Sequence, residues 1–212
     1  TETTGDKKYA DAAKRHYETA CNYVIRDDAS AYHTFYFDPE TGAPLKGVTR
    51  QGYSDDSAWA RGQAWGISGI PFNYRYTKDE SAFNLFEGMT NYFLNRLPAD
   101  DVCYWDLIFG DGSGQSRDSS AAAVAVCGMH EMMKYLPETD EEKETYRRAM
   151  HGILRSLIQG YVNPDMHPGA PILLHGVYSW HSGKGVDEGN IWGDYFYMEA
   201  LLRFYKDWQL YW

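Results

Sequence analysis

Residues 51–66 concentrate side chains that can hydrogen-bond to a small polar molecule or stack against it. The stretch reads Gln-Gly-Tyr-Ser-Asp-Asp-Ser-Ala-Trp-Ala-Arg-Gly-Gln-Ala-Trp-Gly and passes from a turn-rich loop into a predicted helix. Sugars present many hydroxyls beside apolar C–H faces, so their pockets combine amides, carboxylates and aromatic walls. The stretch therefore indicates a carbohydrate site. The side chains concerned are Gln51, Tyr53, Asp55, Asp56, Trp59, Arg61, Gln63 and Trp65.

The acidic pair in this stretch has two interpretations. Asp55 or Asp56 could act as a general acid or base. Alternatively, Asp56 caps a helix that begins near Ser57, because aspartate side chains accept hydrogen bonds from the first helical turn. Asp118 stands in the same position before Ser119, and this recurrence favours capping. Four other aspartates are interpreted in the same way, as loop or cap residues: Asp106, Asp111, Asp187 and Asp194.

Arg61 and Trp65 are four residues apart, so they share one face of the predicted helix. Trp65 can offer an apolar wall to a sugar ring, and Arg61 can donate to a carboxylate. The competing interpretation places Trp65 in the core and pairs Arg61 with Asp55 or Asp56.

Two predicted helix pairs repeat along the chain. The first helix of each pair is rich in small apolar residues, most clearly over 121–127, and the second is amphipathic, most clearly over 141–159. A third helix of the inner type is predicted over 191–206. Inner apolar helices paired with outer amphipathic ones predict a helical toroid or, failing that, a solenoid. Matching positions are Ser57 with Ser119, Gly66 with Gly128, Thr77 with Thr139, and Glu80 with Glu142.

The repeat also predicts how its helices begin and where the chain starts. Each Thr-x-x-Glu, at Thr77 and at Thr139, is typical of a capping box. Residues 6–24 are amphipathic, as an outer helix is, and the inner partner of such a helix would precede Thr1. The chain is therefore expected to begin halfway through a helix pair. The apolar face of its first helix is expected to be partly uncovered unless another segment packs there.

Long loops connect the predicted helices, over 28–56, 98–118 and 160–189. Residues 33–37 alternate like a short strand, and 38–42, Asp-Pro-Glu-Thr-Gly, is typical of a tight turn that closes a hairpin. Long ordered loops on a helical scaffold usually carry the functional site.

Composition narrows the class of protein. A chain of 212 residues with 18 Tyr, 9 Phe and 7 Trp favours one globular domain. The net charge of −10 argues against a nucleic-acid or anionic-membrane partner, and no apolar run is long enough for a membrane span. Cys21, Cys103 and Cys127 lack metal or redox spacing, and Cys21 and Cys127 are predicted core residues. No metal site is predicted, since His175, His181, Asp187 and Glu188 match no ligand pattern.

Several motifs together resemble one enzyme family. The longest are His33-Thr-Phe-Tyr-Phe-Asp-Pro-Glu-Thr-Gly42 and the stretch 51–66. Shorter ones are Asp118-Ser-Ser-Ala, His175-Gly-Val-Tyr178, Gly189-Asn-Ile-Trp-Gly-Asp-Tyr195 and the terminal 208–212. Through them the chain resembles the unsaturated glucuronyl hydrolases of glycoside hydrolase family 88. Those enzymes are about twice as long, and residues 1–212 resemble their C-terminal half.

The resemblance implies an all-α fold, the C-terminal part of a single (α/α)6 toroid with three helix pairs, long loops and a short β-hairpin. It also implies hydrolysis of unsaturated uronyl oligosaccharides, the products of chondroitin or hyaluronan lyases, by hydration of the C4=C5 double bond. An aspartate serves as acid and base, and neither metal nor cofactor takes part. The family's two catalytic aspartates map onto no residue here, so no catalytic residue is assigned and a missing N-terminal half is the expected partner.

The resemblance assigns binding roles to residues of this chain. His33, Gln51, Arg61, Trp65 and Tyr178 match substrate-binding positions, although His33 could instead be a hydrogen-bonded strand residue. A second subsite for a sulfated sugar is expected at Arg50, Ser179, Ser182 and Lys184. The competing interpretation of the glycine-rich segment 178–185 is a solvated, flexible loop.

Two rival functions remain open at this point. A non-catalytic helical carbohydrate-binding or scaffold protein would also lack the catalytic aspartates. The unsaturated rhamnogalacturonyl hydrolases share the toroid, but residues 33–66 fit the glucuronyl family better. Bacterial members occur in the cytoplasm and in the periplasm, and the sequence favours neither compartment.

Overall fold

The computed structural model describes residues 1–165 and 167–207. The helices are α1 Lys8–Thr19, α2 Ala60–Thr77, α3 Ser81–Leu94, α4 Ser119–Met133, α5 Glu141–Gly160 and α6 Ile191–Tyr205, and a π-helical segment, Ala20–Val24, continues α1. Two antiparallel hairpins accompany them, β1 Thr34–Phe37 with β2 Pro44–Val48 and β3 Gly176–Ser179 with β4 Lys184–Glu188. The terminal motif 208–212 lies outside the described residues.

The inner helices form the centre of the molecule. α4 packs against α2 on one side and α6 on the other, and all of its residues from Ser119 to Met129 are buried. α3 packs against α2, and α5 against α4, as outer helices. α5 buries Tyr146 and Leu157 and turns its charged face outward, and the ring of Tyr146 meets Phe86 of α3 edge-on at 5.4 Å. The predicted inner and outer helices and the third inner helix are confirmed.

Small residues let the inner helices approach closely. A Cβ at Gly128 of α4 would stand 2.5 Å from the carbonyl oxygen of Ile67 in α2, which is backbone and has no rotamer to change. A Cβ at Gly69, also in α2, would meet no atom within 4 Å. Glycine is therefore required sterically at Gly128 but not at Gly69.

Gly128→Ala is expected to lower the free energy of unfolding by about 1–3 kcal/mol, because overpacking outweighs the gain in helix propensity. Gly69→Ala is the matched control and should raise it by about 0.5–1 kcal/mol. Urea unfolding of both variants checks this. Equal effects of the two substitutions would contradict the close approach of α2 and α4.

Aspartates begin the outer helices, and the predicted threonine caps are wrong. The Ser81 amide donates to Asp79 Oδ1 at 3.0 Å, and the Glu142 amide to Asp140 Oδ1 at 3.0 Å. Thr77 instead donates its hydroxyl to the Asn73 carbonyl at 2.9 Å, which closes the end of α2. Asp79 and Asp140 lie nearer in the chain to the first helical residue than Thr77 and Thr139 do, so their carboxylates reach the first amides more directly.

The predicted cap at Asp56 is also wrong, because α2 begins at Ala60. The Ala60 amide donates to the Trp105 carbonyl at 3.1 Å, and the Ser57 hydroxyl donates to Asp106 Oδ2 at 2.7 Å. These contacts with a distant loop hold the chain in a non-helical conformation up to Trp59, at the N-cap. Asp56 remains exposed in the preceding loop.

The predicted turn over 38–42 is confirmed as the connection between β1 and β2. The Asp38 amide donates to the Ala43 carbonyl and the Gly42 amide to the Asp38 carbonyl, both at 2.8 Å. Gly42 has φ 72°, a left-handed conformation that favours glycine.

The α4–α6 contact holds a half-buried histidine. Burial, followed by the charges of Arg203 and Lys134, lowers the pKa of His130 from 6.5 to about 4. The folded state therefore binds fewer protons than the unfolded state, and the stability that the neutral ring contributes is complete above pH 6.5 and lost as pH falls toward about 4.

His130→Phe is expected to make the unfolding free energy fall less steeply from about pH 7 to about pH 5, because the protonation of this histidine no longer contributes. Urea unfolding at both pH values measures the slope. His167→Phe, at an exposed histidine, is the control and should keep the wild-type slope. The same slope in both variants would contradict the assignment to His130.

α1 has no buried residue. Within residues 1–165 and 167–207, no helix has the length and apolar character needed to cross a membrane.

Cys103 and Cys127 are buried, and burial raises the pKa of both thiols. The predicted core position of Cys127 is confirmed, whereas Cys21 is only half-buried beside α1.

Candidate substrate-binding site

Arg61, in the first turn of α2, joins the elements around the candidate site. Its Nη1 donates to Asp118 Oδ2 at 2.7 Å, to Ser120 Oγ at 3.0 Å and to the Val177 carbonyl at 2.8 Å. Its Nη2 donates to the Tyr178 carbonyl at 3.2 Å. α2, the start of α4 and strand β3 therefore meet at one guanidinium.

Two indole rings enclose the same guanidinium. The Arg61 Cζ atom lies 4.6 Å from the ring centroid of Trp59 and 5.2 Å from that of Trp192. The ring of Tyr178 lies 5.5 Å from that of Trp192. Trp192 was not predicted as a site residue because it lies far along the chain in another helix, although its place in the Gly189–Tyr195 motif was a signal.

The interpretation that pairs Arg61 with Asp55 or Asp56 is wrong. Its partner is Asp118, whose side chain is fully buried. Asp118 occupies the N-cap position of α4 but makes no capping hydrogen bond with its side chain. Its carboxylate accepts from Arg61 and, at 2.5 Å, from the Ser120 hydroxyl. Asp55 instead accepts the Thr49 amide at 2.8 Å.

His33 and Gln51 lie together beside this network. His33 Nδ1 accepts the amides of Arg50 at 2.9 Å and Gln51 at 3.1 Å, so a neutral ring carries its proton on Nε2. Burial, then the charges of Arg61 and Arg50, lowers the pKa of His33. His33 therefore offers a neutral N–H donor. Its ring accepts hydrogen bonds from the loop that follows β2 and not from a neighbouring strand. The Gln51 side-chain oxygen lies 3.5 Å from Arg61 Nη2.

Two aromatic rings of the candidate site are partly open to solvent. Trp65 is 39% exposed and Tyr178 is 46% exposed. Trp65 lies one turn after Arg61 and meets Phe196 of α6 edge-on at 5.2 Å. The competing placement of Trp65 in the core is therefore wrong. His33, Trp59 and Trp65 line one continuous cavity.

The loop that carries Gln51 is held by a buried carboxylate. Asp106 Oδ2 accepts the Tyr53 amide at 2.8 Å as well as the Ser57 hydroxyl, and Oδ1 accepts the Ile108 amide at 3.1 Å. Asp106 is thus a loop residue, as predicted, but one that joins two loops. Asp194, predicted as a loop or cap residue, lies instead in the first turn of α6, and its carboxylate accepts the amides of Ile172 and Leu173, both at 2.9 Å.

The predicted second subsite lies on the β3–β4 hairpin and the neighbouring loop. Strand pairing places Ser179 opposite Lys184, so residues 178–185 form the closed end of a hairpin, with 181–184 exposed to solvent. The Ser182 hydroxyl donates to the Ser179 carbonyl at 3.3 Å. The side chains of Arg50 and Lys184 are exposed and form no ion pair within the described part of the chain. Both cations are therefore available to an anion.

Among residues 1–165 and 167–207, no group of histidine, cysteine, aspartate and glutamate side chains is arranged to hold a metal ion. His175 and Asp187 are paired, with Nδ1 2.8 Å from Oδ1, and both have left-handed backbone conformations at φ 62°.

The sequence profile of Glycosyl Hydrolase Family 88 matches residues 1–167. The chain belongs to this family. It is 72% identical over 212 residues to the unsaturated chondroitin disaccharide hydrolase of Streptococcus pyogenes serotype M1, with 100% of the chain and 53% of that protein covered. It is 39% identical to the unsaturated glucuronyl hydrolase of Bacillus sp. (strain GL1), covering 56% of it.

Solved family 88 structures share the fold. The unsaturated glucuronyl hydrolase of Streptococcus agalactiae superposes with a TM-score of 0.97 at 71% identity, over 100% of this chain and 53% of that one. A mutant of that enzyme complexed with dGlcA-GalNAc6S superposes with a TM-score of 0.93 over 56% of its length. The chain thus spans about half the length of these relatives, and the predicted half-toroid architecture is confirmed.

Proposed function

We propose that this chain provides the substrate-recognition part of a hydrolase that hydrates the C4=C5 bond of unsaturated uronyl disaccharides of the chondroitin or hyaluronan type. The network around Arg61 carries the proposal, because it joins Gln51 and the Tyr178 strand at one point beside His33. The names of the streptococcal relatives support the same substrate class.

The chemistry of the proposed site suits a uronate ring. The His33 Nε2–H and the Gln51 amide can donate to hydroxyl or carboxylate oxygens, and the exposed face of Trp65 can cover apolar C–H groups. Tyr178 adds an aromatic wall with a hydroxyl. These groups bind and orient the substrate without transferring a proton.

The two buried aspartates of the site, Asp118 and Asp106, are not suited to be the acid and base. Asp118 is buried and its oxygens accept from Arg61 and Ser120. Asp106 is buried and occupied by the loops that it joins. We therefore propose that the catalytic aspartate comes from the part of the family's length that this chain does not match, residues 1–212 being one part of a single toroid domain.

An apolar groove beside the site fits such a contribution. A cavity of about 650 Å³ separates α1 and its π-helical continuation from α2. Gly62, Gly66 and Gly69 line its α2 side, and His33 and Trp65 of the proposed site also line it. Helices approach more closely where their contact residues are small. A helix packed in this groove would place its side chains next to the bound uronate.

Titration calorimetry with unsaturated chondroitin disaccharide tests the recognition role. We expect this chain to bind the disaccharide and a Trp65→Ala variant to bind it at least about tenfold more weakly, since an aromatic wall contributes on the order of 1.4 kcal/mol. Tyr36→Ala, at an exposed aromatic of the other hairpin, is the control. A folded wild-type chain without affinity would contradict the proposal.

The proposed sulfate subsite predicts a selective effect. Lys184→Ala should weaken binding of the 6-sulfated disaccharide by about tenfold and leave binding of the unsulfated one unchanged, because only the former loses a charge-assisted contact. Lys46→Ala, an exposed lysine on β2, is the matched control. Equal losses for both ligands at Lys184 would refute the sulfate role.

A further inference from the structure

The tip of the β3–β4 hairpin is attached to the loops on the other side of the candidate site. The indole of Trp180 stacks on that of Trp105, with ring centroids 5.0 Å apart and planes at 9°. His181 Nε2 donates to the Gly52 carbonyl at 2.7 Å. Gly52 directly follows Gln51, so the hairpin tip touches the loop that carries part of the proposed uronate site.

Trp105 is a rigid platform for this attachment. It is fully buried, and its Nε1 donates to Gln115 Oε1 at 3.0 Å. Its carbonyl accepts the Ala60 amide and its amide donates to Ser116, both at 3.1 Å. Together with Trp59, Val177 and the rings packed on them, it forms a small apolar cluster separate from the main core.

The base of the hairpin is fixed independently. The guanidinium of Arg61 donates to the carbonyls of Val177 and Tyr178 in β3. A two-stranded hairpin is marginally stable by itself, so these tertiary contacts decide its position. Arg61 holds the base of the hairpin, and Trp180 and His181 hold its tip, so tertiary contacts fix both ends of the hairpin.

We propose that Trp180 and His181 are positioning residues that hold the hairpin subsite at a fixed distance from the uronate subsite. The inference rests on the proposed function, because Ser179, Ser182 and Lys184 lie on the hairpin and Gln51 lies on the attached loop. Preorganisation of both subsites lowers the entropy lost on binding a ligand that spans them. Discrimination of the sulfated disaccharide therefore depends on two side chains that need not touch it.

Hydrogen exchange of the unliganded chain tests the coupling directly. Trp180→Leu is expected to speed amide exchange about tenfold or more both in 176–188 and in 50–54, since losing a stacked pair costs on the order of 1.4 kcal/mol. His181→Leu, an exposed position, should show the same pattern at smaller size. Trp180→Phe should restore most of the protection, and Tyr36→Leu should leave both segments unchanged. Faster exchange in 176–188 alone would overturn the coupling.

Binding then tests the consequence for selectivity. Trp180→Leu should reduce the preference for the 6-sulfated over the unsulfated disaccharide by about tenfold while changing affinity for the unsulfated one much less. A wild-type preference retained in Trp180→Leu would overturn the positioning role. A wild-type chain that binds neither disaccharide would contradict the proposed function, whereas the exchange data would still decide whether the two segments are coupled.

Discussion

Replacing Arg61 with alanine is expected to lower the free energy of unfolding by about 3–5 kcal/mol. Side-chain exposure is 4% for Arg61 and 0% for Asp118, so the substitution leaves a carboxylate buried without its counter-charge. It also removes the donor shared by the Val177 and Tyr178 carbonyls. Urea unfolding measures the change.

Two further variants identify the cause of that loss. Arg61→Met combined with Asp118→Leu should recover most of the stability, because no unpaired charge remains buried. Arg148→Ala, whose side chain is 80% exposed in its pair with Glu144, should cost less than about 1 kcal/mol. An Arg61→Ala protein as stable as Arg148→Ala would show that the network does not hold the site together. These stability measurements show whether a loss of substrate binding in Arg61→Ala comes from a lost contact or from unfolding.

Arg203→Leu is expected to have an effect of similar size at the opposite end of the inner helices. Arg203 of α6 donates to Glu131 of α4 at 2.7 Å and pairs with Glu199 at 2.8 Å, and all three side chains are at most 2% exposed. The substitution leaves two carboxylates buried without this arginine, although Glu131 keeps Lys134 and the Tyr135 hydroxyl as donors. The expected loss is about 3–5 kcal/mol of unfolding free energy.

The acid side of the same cluster gives a second measurement. Burial raises the pKa of Glu131, but the hydrogen bonds from Arg203 and Lys134 outweigh it, and the pKa is lowered from 4.5. The stability contributed by this carboxylate is therefore present above pH 4.5 and lost as pH falls through its lowered pKa. In urea unfolding, Arg203→Leu should remove this dependence, and Arg155→Leu, at an exposed arginine of α5, should preserve it. Similar unfolding free energies for the two variants would contradict the cluster's role.

The helical architecture was predictable because it is encoded locally. Residues 121–127 are small and apolar, which favours a helix buried on every side. Residues 141–159 have one apolar and one charged face, which favours a helix buried on the apolar side only. The Asp38–Gly42 turn was predictable for the same reason, since glycine supplies the left-handed residue that the turn requires. Both signals depend mainly on residues that are neighbours in the chain.

Some errors were local, since Asp79 and Asp140 take the place of the predicted threonine caps, and the others fall where distant segments meet. Asp56 is a residue type that often caps helices, but contacts with Trp105 and Asp106 keep the chain non-helical up to Trp59. Asp118 also resembled a cap, yet its carboxylate is directed to Arg61, almost sixty positions earlier in the chain. Burial of an ion pair depends on which helices become neighbours, and the sequence alone does not state this. The family motifs located the site residues, whereas the network that connects them required the structure.

The most direct test of the recognition role follows the ultraviolet absorbance of the C4=C5 bond in unsaturated chondroitin disaccharide. Two samples are compared: this chain alone, and this chain joined to the part of the Streptococcus agalactiae enzyme that it does not match. We expect binding without loss of absorbance for the chain alone, and loss of absorbance for the joined protein. Loss of absorbance with the chain alone would contradict the recognition role, because the acid and base would then lie within residues 1–212.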